Sequence, residues 1–170
     1  MMTMTLDNTV FKTFHRTEDW KYTNVSALSK VDFGVGTQVD AVEIEAFDLA
    51  VNNPFVVFVN GVFNEQTSRL VDGIEISSTN TNSLASRSPS MIPRGESDSL
   101  TISGSHEKTI HVLQLITGDS PVACYGNVCI HASEGEKLSI AETHVALGNC
   151  VHLFMPCTEV VAEKNSSVTL

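Results

Sequence analysis

The run TIHVLQLITGDSPVACYGNVCIHASEGEKLSIAETHVAL, residues 109–147, alternates stretches rich in Val, Ile, Leu and Cys with polar breaks at Gly118-Asp119-Ser120 and Glu134-Gly135-Glu136. Aliphatic and β-branched side chains suit a pleated, buried surface, and Gly, Asp and Ser supply the turns between such segments. The same texture continues outward. LTIS precedes the run at 100–103, and NCVHLFMP, TEVVAE and SSVTL follow it, separated by Gly148-Asn149 and Glu163-Lys164-Asn165. The breaks recur about every 15 residues, a spacing of all-β folds or of stacked solenoid coils. IHVLQLI and CVHLFM show no alternation of polar and apolar positions, as expected of strands covered on both faces.

Upstream, PFVVFVNGVFN (54–64) places an Asn-Gly pair between two β-rich runs. Both central residues of a type I′ turn need positive φ, so strands are expected at 55–59 and 62–64, turning at Asn60 and Gly61. Between this hairpin and residue 100, the segment 77–99 is rich in Ser, Asn and Thr with two prolines. It has too little apolar surface to offset its ordering entropy and is expected to be a mobile polar loop.

The first third carries the helical signals. Thr17 followed by Glu18 and Asp19 reads as an N-cap with acids in the first turn. Thr23 or Asn24 before VSALSK predicts a second short helix, stopped by Gly34 and Gly36. AVEIEAFDLAV (41–51) fits a strand or a helical face equally. The expected organisation is thus an N-terminal helical and hairpin region (1–76), a loop (77–99) and a mainly β array (100–170).

A chain of 170 residues suffices for one domain with a real core. Its net charge of −10 disfavours nucleic-acid and anionic-membrane partners, which require basic patches. The N-terminus lacks a basic segment followed by an apolar one, and the longest apolar runs fall far short of a membrane span. A cytoplasmic protein with reduced thiols is expected.

Soft donors nevertheless gather late in the chain. Cys124, Cys129 and His131 form C-x4-C-x-H, and Cys150, His152 and Cys157 form C-x-H-x4-C, with His144 between. Thiolates and imidazoles suit zinc or iron, but neither group holds a close C-x2-C pair, and inert cysteines are commonly buried. We expect structural cysteines. His111, His131 and His144 on successive strands, with Glu142 as carboxylate, also suggest a cupin-type metal site, although the tight His-x-His cluster is missing. The common hydrolase, phosphate-loop and dinucleotide signatures are absent.

RTEDWKYTNV (16–25) concentrates the only Trp and one of two Tyr. Its bottom-up reading is a capped helix whose Trp20 and Tyr22 pack against the hairpin, the alternative being an exposed patch for a partner. Arg16, Glu18, Trp20, Lys21, Tyr22 and Thr23, with Leu28 soon after, also resemble the N-terminal signature of the SufB/SufD family, and its SufD branch in particular. VVFVNGVFN, LTISGSHEKTIHVLQL and NVCIHASEGEKLSIAETHVAL extend the resemblance in the same order. It implies a truncated right-handed parallel β-helix preceded by a small N-terminal region. It further implies a non-enzymatic scaffold role in iron-sulfur cluster assembly, with SufB and the ATPase SufC as partners. Family chains are more than twice as long, and the later coils, the SufC-docking helices and the residues that handle sulfur or iron have no counterpart here. No catalytic, cofactor-binding or metal residue is therefore carried over, and no cofactor is expected on this chain, although the parent complex handles iron-sulfur clusters and uses ATP through SufC. A β-helix cut between coils exposes an unpaired edge, so self-association is also expected.

Overall fold

The computed structural model describes residues 11, 12, 16, 21–35, 44–49, 51–77 and 98–170. The chain is mainly β. Among the described residues the short 3-10 helices Ser26–Lys30 and Glu45–Phe47 accompany the strands β1 (Gly34–Val35), β2 (Phe55–Val59), β3 (Val62–Phe63), β4 (Ile74–Ser77), β5 (Ser99–Ser103), β6 (Ile110–Ile116), β7 (Val122–Cys124), β8 (Asn127–Ala132), β9 (Lys137–Ala146), β10 (Leu153–Phe154), β11 (Cys157–Ala162) and β12 (Ser167–Thr169).

The hairpin forms at its Asn-Gly pair. Asn60 and Gly61 take φ of 54° and 80°, and Val59 faces Val62 across the turn. From β5 onward the chain visits three sheets in the same order, β5-β6-β7, then β8-β9-β10, and begins again with β11-β12. Among these repeating strands the pairing is parallel. Ile110 lies beside Ile140, Val128 beside Thr158, Ala123 beside Leu153 and Leu138 beside Val168, each thirty residues further on. The step from β5 to β8 is two residues shorter, Leu100 facing Val128. The repeat is therefore twice the spacing of the sequence breaks, because each unit contributes two long strands and one short one. The break at Tyr125 and Gly126, hidden inside PVACYGNVCIHAS, separates β7 from β8. Turns repeat with the strands: Gly135 (φ 79°) and Asn165 (φ 59°), thirty positions apart, both adopt the left-handed conformation.

The N-terminal segment is hydrogen-bonded into these sheets. β2 runs parallel to β6, β1 parallel to β7, and β4 antiparallel to β5. The main core lies between the five-stranded and four-stranded sheets and joins Val56, Phe58, Ile110, Val112, Leu138 and Ile140 to Leu100, Ile102, Val128 and Ile130. The opposite face of the five-stranded sheet, carrying Phe55, Val57, Val59, Leu113 and Leu115, is covered by Ile44 and Phe47. This double covering explains why β2 and β6 are buried at every position. CVHLFM differs: Val151 is exposed and only Leu153–Phe154 pairs as a strand.

Three N-terminal expectations change. Tyr22 does not pack against the hairpin; it is 91% exposed, with the Lys21 ammonium 5.0 Å from its ring centre. The helix after Asn24 is a single 3-10 segment, begun with Asn24 Oδ1 accepting from the Ser26 amide and hydroxyl, and Gly34 belongs to β1 instead of ending it. The ambiguous 41–51 segment contributes the Glu45–Phe47 turn. Thr17, Glu18, Asp19, Trp20, Gly36 and most of the 77–99 segment lie outside the described residues. No helix among the described residues is long and apolar enough to cross a membrane.

Candidate functional site

β9 begins by burying Leu138 and Ile140, and the same inward face continues with Glu142 and His144, since alternate strand residues share a face. On β6 the inward residues Ile110 and Val112 are followed by Gln114, which stands beside His144 in the parallel register, while Val112 stands beside Glu142. Parallel pairing thus stacks polar on polar at one end of an otherwise aliphatic interior.

The resulting network centres on the Glu142 carboxylate. Gln114 Nε2 donates to Oε1 at 3.0 Å, Thr158 Oγ1 donates to Oε2 at 2.8 Å, and His144 Nε2 stands 3.4 Å from Oε1. The Phe154 ring packs on the imidazole, ring centres 5.0 Å apart. Burial is graded: Gln114 is 1% exposed, the Glu142 side chain 15% and the His144 side chain 36%. Gly126 closes the deep side, because any Cβ there would collide with the Gln114 carboxamide. Gln114 Oε1 is buried without a hydrogen-bond partner. A mostly covered carboxylate is costly unless it is hydrogen-bonded, and Gln114 and Thr158, from two other strands, donate those bonds here.

The other two histidines of the cupin-type reading, His111 and His131, lie elsewhere. His111 faces the opposite side of β6, stacks on Phe55 with ring centres 5.0 Å apart and contacts Thr143 Oγ1 through Nε2 at 2.9 Å. Burial pushes its pKa down; Asp48 raises it and Arg69 lowers it further. Asp48 and Arg69 themselves form a two-point ion pair, at 2.8 and 3.0 Å. His131 stands on β8 in the four-stranded sheet, 3.0 Å from Glu163 Oε1. Of the cupin-type candidates, Glu142 and His144 therefore come together, whereas His131 pairs with Glu163 and His111 with Thr143.

The cysteines occupy four different settings. Cys124 on β7 is buried and pairs in register with Phe154; burial pushes its thiol up to about 12. Cys129 lies between Thr101 and Glu159, its pKa raised by burial and by the Glu159 charge. Cys157 opens β11 beside Asn127, and Cys150 sits before β10. All four are free thiols, and among the described residues no three His, Cys, Asp or Glu side chains gather as a metal set. Gln114 and Thr158 are site residues that the sequence does not single out. The one signal for Gln114 is its isolation inside the apolar IHVLQLI. Thr158 reaches Glu142 from a different sheet, β11 belonging to the four-stranded one and β9 to the five-stranded one.

A second concavity, of about 530 Å³, lies between the 51–54 turn, Arg69, Val71 and the His106–Lys108 turn. It is an open surface groove. Lys108 Nζ is already committed to the Asn52 carbonyl and His106 Nε2 to the Ser103 carbonyl.

Compared with known proteins, the chain matches no family model, no curated protein and no solved structure.

Proposed function

We propose that the chain is the N-terminal portion of a SufD-like scaffold subunit of the Suf iron-sulfur cluster assembly complex, folded as the first coils of a right-handed parallel β-helix and non-catalytic by itself. The observation that carries this reading is the parallel register at thirty residues, repeated on all three sheets. Solenoids bury a continuous core by stacking like residue on like, as Ile110 on Ile140 and Leu138 on Val168 do here. The segments that resemble the family coincide with this framework: VVFVNGVFN is β2 and β3, LTISGSHEKTIHVLQL carries β5 and most of β6, and NVCIHASEGEKLSIAETHVAL spans β8 and β9. In this reading the protein works in the cytoplasm. The exposed Val160 and Val161 of β11 then contribute to the contact with SufB.

The competing assignment, a metal-dependent cupin-type barrel using His131, His144 and Glu142, fits less well. Cupins are antiparallel jelly rolls, whereas the long ladders here are parallel, and His131 belongs to another sheet.

The test is co-purification. Tagged chain co-expressed with SufB and SufC is expected to retain SufB, with SufC present only when SufB is, and Val160→Lys on the β11 edge is expected to abolish retention. Failure to retain SufB in a folded, soluble preparation overturns the assignment.

A further inference from the structure

We propose that Glu142, His144 and Gln114 form a binding site for one divalent transition-metal ion of the zinc class. The inference rests on the geometry of the polar cluster and does not require the scaffold role, although both presuppose the same parallel strand register.

The first observation is a distance. His144 Nε2 and Glu142 Oε1 are 3.4 Å apart, long for a hydrogen bond between these groups. Two donors each about 2.1 Å from a tetrahedral centre stand roughly 3.4 Å from one another, so the pair is spaced as two ligands of such a centre. Both sit on one face of β9, and Phe154 holds the imidazole plane.

The second observation is the unpartnered oxygen. Gln114 is 1% exposed, yet its Oε1 accepts nothing while its Nε2 donates to Glu142 Oε1 at 3.0 Å. An orphaned buried acceptor is costly, and the amide head is already at the site. Half a turn about the terminal torsion brings Oε1 to the Glu142 side, the orientation a cation at the His144 and Glu142 donors would favour. Donor and acceptor ends of a carboxamide are set by their surroundings, so the rearrangement needs no movement of the strand.

The surroundings fit a ligand set as well. Thr158 Oγ1 donates to Glu142 Oε2 at 2.8 Å, which leaves Oε1 as the single coordinating oxygen and fixes the carboxylate's direction. Hydrogen-bonded ligands of this kind are the usual outer support of a metal centre. One imidazole and two oxygens suit zinc, cobalt or iron(II), and the partly exposed His144 side leaves room for water as the fourth ligand.

The test is a titration of the metal-free full chain with Co²⁺, followed by visible absorption, and with Zn²⁺, followed by calorimetry. One equivalent is expected, with d-d bands of a low-coordinate nitrogen and oxygen site and no thiolate charge-transfer band. His144→Ala and the near-isosteric Glu142→Gln are expected each to weaken binding at least about tenfold, while His131→Ala and Cys129→Ser leave it unchanged. Circular dichroism on each variant identifies any that has lost its fold, and Glu142→Gln decides the matter if His144→Ala unfolds. Absence of saturable binding, undiminished binding in a folded Glu142→Gln, or loss of binding on His131→Ala would overturn the proposal.

Discussion

Gly126 lies against the carboxamide of Gln114 so closely that the space of a single methyl group at 126 is already occupied by the amide head. The contact joins the bend between β7 and β8 to the middle of β6. Gly126→Ala must displace the Gln114 amide head, and overpacking of this kind typically costs about 1–3 kcal/mol. Urea unfolding of Gly126→Ala should show a midpoint lowered accordingly with an unchanged slope. A wild-type midpoint would mean that the close approach is not real.

Asn60 does more than permit the hairpin turn. Its Oδ1 accepts the Thr117 amide at 2.9 Å, across fifty-seven residues of sequence, and the side chain is 4% exposed. Asn60→Gly keeps the left-handed conformation but strands that amide, an expected loss of about 1–3 kcal/mol. Asn60→Asp restores an acceptor and should recover part of the loss in the same unfolding measurement.

His111 should make stability depend on pH. Burial lowers its folded-state pKa below the ordinary value of 6.5, so the unfolded chain binds a proton that the folded chain resists. The stabilisation is complete above that ordinary value and is lost as pH falls through it, levelling once the folded form also protonates. His111→Gln cannot take up this proton. Unfolding curves at pH 7.5 and 5.5 should show a larger loss for the wild type than for the variant, and equal losses would refute the assignment.

The thiols should separate by reactivity. Cys124, its pKa pushed up to about 12, carries only about one thiolate in 10⁴ at pH 8 and is shielded as well. Cys129 is also held back, by burial and by Glu159. Alkylation of native protein followed by peptide mass spectrometry should label Cys150 and Cys157 first, Cys129 later and Cys124 only with unfolding. Early labelling of Cys124 would contradict its place beside Phe154.

The legibility of these features follows from the range of the interactions behind them. The Asn60-Gly61 turn is readable because its positive φ values are a local demand that few residues meet. The strand texture of 100–170 is readable from side-chain type. The true thirty-residue repeat is hidden, because two comparable strands per unit make the breaks recur at half the period, and parallel partners are distant in sequence. Glu142 and His144 stand out as neighbours two apart on one strand. Gln114 joins them through strand register and Thr158 through the packing of one sheet on another, and the Gln114 contact with Gly126 has no local signature at all. Tyr22 departs from its expected burial: it stands exposed, and the Lys21 ammonium, its neighbour in sequence, lies over its ring.

Scaffold and metal site share one geometric premise, the parallel register at thirty residues. Nuclear Overhauser contacts in isotopically labelled protein measure it directly. Backbone contacts linking Ile110 with Ile140, Val128 with both Leu100 and Thr158, and Leu138 with Val168 are expected. Contacts linking β8 to β9 as an antiparallel hairpin across Glu134 and Gly135, in place of those pairs, would contradict the account.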